Sequence, residues 1–184
     1  MGDHEDTVRI LEVELGQVEQ AFRGLSEEDW RAPTKLRPLD EAKPPWTLFE
    51  LAGHFDISIG LTVMLMAEPQ GGQVGRDRVS FFIFPRREVD TVGPGYYALM
   101  RLAEFVASRV VEAVVHGLDL TDALGRQPMA TPEGLAVTAS ILDELLARRT
   151  VAGRPPDLAD DMAWVRAASG RGPVHPDPRL PLIG

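Results

Sequence analysis

The spacing of apolar positions divides the chain into elements before any other property is considered. Between residues 7 and 25, Val8, Leu11, Leu15, Val18, Phe22 and Leu25 recur at steps of three and four with charges between them. That is the narrow stripe of a helix packed along one face. In "LSEEDWRAPT", Ser26 and Asp29 are spaced like a capping box ahead of Pro33, which predicts a short helical turn and no more. The next segment, "KPPWTLFELAGHFDISIGLTVMLMAE", has Thr47 as N-cap, Glu50 three residues later and Trp46 placed to staple onto Leu51. Its body is apolar nearly all round, which predicts a central helix running to about Glu68, before Pro69.

Residues 69–95 are punctuated by Gly, Pro and Arg around one apolar run, "VSFFIF", and a connection of this length inside a compact domain is more often functional than idle. A third helix is expected from about 95 to 124, ended by "GRQP". Thr131 and Pro132 then supply an N-cap and a proline at the first helical position, and Leu135, Leu142, Leu145 and Leu146 carry a fourth helix to Arg149. After the break at "VAGRPPD", Asp157 is expected to cap a shorter amphipathic helix through about Ala168, followed by a non-helical tail, "GRGPVHPDPRLPLIG". Four long helices without a convincing strand pair predict an all-α bundle, with a long connection between the second and third helices and a short extra C-terminal helix.

Composition narrows the picture. With 184 residues, 44% hydrophobic and 26% charged, the chain fits one domain, 1–184, with a sizeable core. A formal net charge of −9 argues against a nucleic-acid or anionic-membrane partner, because such surfaces are bound through basic patches. The pairs Arg86-Arg87 and Arg148-Arg149 are isolated; they read first as solvated charges, and only second as local anion contacts. The absence of cysteine excludes disulfides, thiolate zinc sites and cysteine nucleophiles, so any metal must be held by His, Asp or Glu. The acidic start, "MGDHEDTVRI", lacks the apolar stretch of a secretory signal, and no apolar run approaches the ~18 residues of a membrane helix. A cytoplasmic protein is expected.

Candidate chemistry begins in "VVEAVVHGLDL", residues 110–120, where Glu112 and His116 stand four apart on the third helix, roughly 40° from each other on its face. Two readings are open. Ser108, Arg109, Glu112, His116 and Asp119 cluster on one arc, opposite Val110, Val111, Val114 and Leu118, as a polar outer stripe would; Glu104 and Ser108 extend it toward the N-terminus and would then face water. The same spacing lets both side chains reach one metal ion. His54 favours the second reading, because it sits among Leu51, Phe55, Ile57, Leu61 and Leu65 on the second helix, where an imidazole must find partners or bind something. Metal sites in bundles are built from facing helices, and His2Glu is an established zinc set that leaves a position open. His4, near the terminus, and His175, in the proline-rich tail, are expected to be solvent residues.

The ordered set "PPWTLFELAGH", "VVEAVVHGLDLTDALGR" and "MAWVRAASGRGPVHPDPRLPL" resembles the DinB-like superfamily of metal-binding four-helix bundles, closest to the mycothiol-dependent maleylpyruvate isomerase group. The resemblance spans essentially the whole chain and includes Trp164, Ala168, Gly170 and Arg171. It implies that Trp46 and Thr47 start the second helix, that His54, Glu112 and His116 are metal ligands, and that Asp119 occupies the aspartate position three residues beyond. The isomerases carry an additional C-terminal domain that helps form their active site, so the resemblance here is to their metal-binding domain.

A dication at this site, Zn2+ or another, can polarise a carbonyl or lower the pKa of a bound water or thiol. Because the chain has no cysteine, thiol chemistry needs a low-molecular-weight thiol, and the resemblance implies mycothiol, attacking an electrophilic small molecule. Addition and re-elimination gives isomerisation; retention of the adduct gives S-transfer. Arg76, Arg78, Arg86 and Arg87 of the long connection are candidates to hold a substrate carboxylate or thiol anion. Asp119 either orients His116 from behind or is a surface charge at the helix C-terminus. Two other functions stay open: a thiol-independent metal hydrolase or lyase of the same superfamily, and a non-catalytic bundle that binds a ligand or partner.

Overall fold

The computed structural model describes residues 2–36, 42–67 and 102–183. The long connection, with its "VSFFIF" run and with Arg76, Arg78, Arg86 and Arg87, lies outside the described residues, as does the expected start of the third helix.

Among the described residues the chain is all-helical: α1 (Gly2–Arg23), α2 (Leu48–Ala67), α3 (Leu102–Ala123), α4 (Pro132–Arg149) and a short α5 (Asp161–Ala168), with 3-10 turns at Asp29–Arg31 and Pro156–Leu158. Pro33 and Thr47 form an isolated antiparallel bridge. No described helix is long and apolar enough to cross a membrane.

The local signals for helix starts act as expected. Thr47 and Glu50 close a capping box, the Thr47 N–H donating to Glu50 Oε2 at 2.7 Å and the Glu50 N–H to Thr47 Oγ1 at 3.3 Å. Thr131 caps α4 by accepting from the Gly134 N–H at 2.9 Å. At the C-terminus of α3, Gly125 adopts φ +61, which lets the Arg126 N–H reach back to the Thr121 carbonyl at 2.9 Å. One start was misplaced: Asp160, not Asp157, caps α5, accepting from the Ala163 N–H at 2.9 Å. Asp157 lies in the preceding 3-10 turn and bonds His175 Nε2 at 3.0 Å. His175, whose side chain is mostly buried, is therefore a tie between turn and tail rather than a solvent residue. The backbone of His4 lies within α1.

Among the described residues the most enclosed helix is α3. It packs against α1, α2 and α4, and buries Val106, Val110, Val111, Val114, Val115 and Leu118, whereas α2 leaves Phe49 and Ile57 exposed. Among the described residues two clusters of apolar side chains result. One joins α1, α3, α4, α5 and Leu182 of the tail around the fully buried Trp164; the other joins Val18, Leu48, Leu51, Phe55 and Leu120, where α2 meets α1 and α3. The tail holds its place through the Leu182 N–H, which donates to the Ala168 carbonyl at 2.7 Å.

A carboxylate interrupts the apolar stripe of α1. Glu14 is buried and accepts from the Thr131 N–H at 2.9 Å and from the Thr131 hydroxyl, so it satisfies donors at the α4 N-terminus, where negative charge is favoured. Gly134 makes the approach feasible, since a Cβ there would collide with the Glu14 carboxylate.

Candidate metal centre

The polar stripe of α3 faces inward. Ser108, Arg109 and Asp119 are buried, and Glu112 and His116 have side chains only 17% and 12% exposed. The reading as an outer stripe fails, since α3 is surrounded and its polar arc meets α2 and the tail instead of water. Ser108 turns its hydroxyl onto the Phe105 carbonyl at 2.6 Å, and Glu104 is half-buried.

His54 meets this arc from α2. The capping box fixes where α2 begins, and His54, seven residues past Thr47, then lies over Glu112 and His116. Its Nε2 stands 3.5 Å from Glu112 Oε2, and His116 Nε2 stands 3.2 Å from the same oxygen. One ligand atom from each of the three residues lies within 4.8 Å of the others. The imidazoles meet edge to face with centroids 4.9 Å apart, between Trp46 on the His54 side, at 5.5 Å, and Phe55 on the His116 side, at 5.7 Å.

These separations suit a metal. Ligand bonds of about 2.0–2.1 Å in a tetrahedron place neighbouring donor atoms about 3.3 Å apart, between the two distances found. The cluster can therefore hold a metal ion, with His54, Glu112 and His116 each giving one donor. At 34% exposure His54 is the most accessible of the three, so the cluster opens on the α2 side.

Behind the ligands the protonation pattern is set by Asp119. Its carboxylate only accepts hydrogen bonds, so His116 Nδ1 carries the proton of their 2.9 Å contact and Nε2 is turned toward Glu112. Arg171 grips Asp119 through Nε at 3.1 Å and Nη2 at 3.0 Å, and donates from Nη1 to the Ser169 carbonyl at 2.5 Å. Asp119 is thus a buried orienting group, not a surface charge. Arg171 was missed as its partner: it belonged to the late "GR" motif, but nothing in the spacing tied it to Asp119, 52 residues earlier.

Electrostatics follow from this packing. Burial opposes charge on His116, but the hydrogen bonds and negative charges of Asp119 and Glu112 outweigh it and push the imidazole up to about 9. Burial likewise opposes ionisation of Glu112, yet hydrogen bonds from His116 and His54, with the charges of His116 and Arg109, hold it well below the usual carboxylate range. In the metal-free form a proton on His116 Nε2 does what an ion would do, placing positive charge against Glu112. A metal ion and that proton are in competition.

At the far end of the arc Arg109 lies one turn before Glu112. Its Nη2 is 3.9 Å from Glu112 Oε1, its Nε donates to Ser108 Oγ at 3.3 Å, and its guanidinium sits 5.1 Å from the centre of the Phe105 ring. No protein-family model, curated protein or solved structure matches the chain.

Proposed function

We propose that the chain is a zinc-dependent enzyme of the DinB-like kind, which uses a small thiol such as mycothiol to isomerise or S-conjugate an electrophilic small molecule. The observation that carries this reading is the convergence of His54, Glu112 and His116, from two helices, onto one point with metal-ligand separations. Four long helices, with α3 touching the other three, support the DinB-like bundle as the frame for it.

When bound, zinc would supply Lewis acidity that lowers the pKa of a coordinated thiol or water. The rest belongs to the protein. His54, Glu112 and His116 would fill three positions and leave one open toward the accessible α2 side, which suits exchange of ligands rather than a closed structural site. Asp119, itself fixed by Arg171, holds His116 with Nε2 forward. Phe55, packed against His116, gives the site an apolar side, where charges interact more strongly than in water.

A thiolate delivered here would add to one carbon of an activated double bond, forming a C–S bond and moving the π electrons onto the activating carbonyl. Rotation followed by loss of the thiolate restores the double bond in the other geometry, with no net oxidation or reduction. Protonation of the adduct instead retains sulfur and gives S-transfer.

The test is calorimetric titration of the zinc-loaded protein and of His54→Ala with mycothiol, followed by incubation of each with maleylpyruvate. The proposal expects one thiol per zinc, no binding by His54→Ala, and product formed only with thiol present. Because His54 leaves the site accessible to water, hydrolysis of a substrate independently of thiol would replace this reading with that of a metal hydrolase.

A further inference from the structure

In a chain whose formal net charge is −9, one cleft is basic. It lies where the end of α3 meets the turn after α5, has a volume of about 580 Å³, and is lined by Lys35, Asp122, Arg126, Arg166 and Arg171. That volume is in the range of small-molecule sites.

Its cations are unequally engaged. Arg171 directs its fork to Asp119 and the Ser169 carbonyl, so its charge is matched. Asp122, the one carboxylate lining the cleft, serves two cations: Arg166 through Nη1 at 2.9 Å and Nη2 at 2.8 Å, and Lys35 through Nζ at 3.1 Å. Lys35 thereby uses one of three donors. The Arg126 side chain makes no hydrogen bond among the described residues; its charge is felt by Asp29, a carboxylate already held by the Ser26 N–H and hydroxyl. Cations near helix C-termini often cap carbonyls, yet the last turns here are closed by backbone, the Arg126 N–H returning to the Thr121 carbonyl at 2.9 Å and the Arg171 N–H to that of Arg166 at 2.8 Å. Arg166 and Arg171 do reach carbonyls of the turn after α5; Lys35 and Arg126 reach none.

Lys35, Arg126 and Arg166 therefore bring three positive charges to the single carboxylate of Asp122, and setting Asp29 against Arg126 still leaves a surplus of one. Positive charge concentrated in a concave surface draws anions. A phosphate group matches it better than a carboxylate, because it carries about −1.5 to −2 near neutral pH and offers three acceptor oxygens, enough for an ammonium and a guanidinium fork at once. We propose that this cleft is a phosphate site, in which Arg126 and Lys35 clamp a phosphate group, free or carried by a small organic molecule, beside Arg166. It shares Arg171 with the support of the metal centre but does not depend on the metal reading.

The experiment uses the full chain, stripped of metal by chelator and dialysed so that phosphate cannot bind through zinc. Wild type, Arg126→Gln, Lys35→Gln and a distant control on the exposed end of α4, Arg149→Gln, are titrated calorimetrically with inorganic phosphate, glycerol 3-phosphate and glycerol. Wild type should bind one phosphate group per chain, more weakly as salt is raised, and no glycerol. Arg126→Gln, which removes no hydrogen bond from the fold, should bind about ten- to a hundred-fold more weakly, the range of charge-assisted hydrogen bonds. Lys35→Gln should show a smaller loss and Arg149→Gln none. Tighter binding of glycerol 3-phosphate assigns the cleft to a phosphorylated organic molecule; equal or tighter binding of inorganic phosphate assigns it to the free ion. No saturable binding by wild type, or an affinity of Arg126→Gln no lower than that of Arg149→Gln, overturns the site.

Discussion

Two buried carboxylates on α3, seven residues apart, have opposite surroundings. Asp119 is enclosed by the protein's own donors: the fork of Arg171 and the Nδ1–H of His116. Glu112 faces two imidazole nitrogens at 3.2 and 3.5 Å, separations that leave room for an ion between donors, and Arg109 stands off at 3.9 Å. The first arrangement is complete within the fold; the second is completed by a cation, a proton on His116 or a metal. Buried charge that serves the fold is thus distinguishable from buried charge that serves a ligand by where its counter-charge comes from.

Substitutions should separate the two. Asp119→Ala leaves Arg171 buried without its counter-charge and is expected to lower stability by about 3–5 kcal/mol in denaturant unfolding, with or without zinc. Glu112→Gln removes the charge but preserves shape; it is expected to abolish stoichiometric zinc while costing the metal-free protein about 1–2 kcal/mol at most. Equal losses of stability in the two variants would erase the distinction. The milder Asp119→Asn, which keeps an acceptor but no charge behind His116, should weaken zinc binding by about 10–100-fold in a competition assay with a chelator.

Acidity provides a second contrast. The pKa of His116, raised from its ordinary 6.5 to about 9, makes the folded metal-free state bind a proton that the unfolded state releases at lower pH. The resulting stability is fully present below about 6.5 and is lost as pH rises through about 9. Denaturant titrations across that window should show the decline in metal-free wild type and its disappearance after zinc loading, since zinc takes the place of the Nε2 proton. Zinc binding near pH 7.5 should accordingly release about one proton, measured from the dependence of calorimetric heat on buffer ionisation enthalpy.

A smaller effect is expected away from the site. Gly134→Ala forces a Cβ onto Glu14, at a cost of about 1–3 kcal/mol, and zinc affinity should not change. Altered affinity there would mean that the α1–α4 contact is coupled to the metal centre.

How much of this was legible in the sequence depended on range. Local signals held: the Thr47–Glu50 box, the Thr131–Pro132 start, and the i, i+4 placement of Glu112 and His116, all set by backbone spacing alone. The misplaced α5 cap has a local cause too, since Asp157 and Asp160 both precede the amphipathic run and the prolines at 155 and 156 favour a 3-10 turn first. The direction of the polar arc was not legible, because an inward and an outward stripe have the same wheel; only the placement of α3 between α1, α2 and α4 decides it. Glu14 in an apolar seam, His175 against Asp157 and Arg171 against Asp119 depend on contacts 117, 18 and 52 residues apart. No window along the chain contains them.

The most direct test of the metal centre is elemental analysis of wild type and His54→Ala, each stripped with chelator, refolded state verified by circular dichroism, and dialysed against zinc. The site described here predicts one zinc per wild-type chain and none retained by the folded variant. Zinc absent from wild type, or retained equally by His54→Ala, would contradict it.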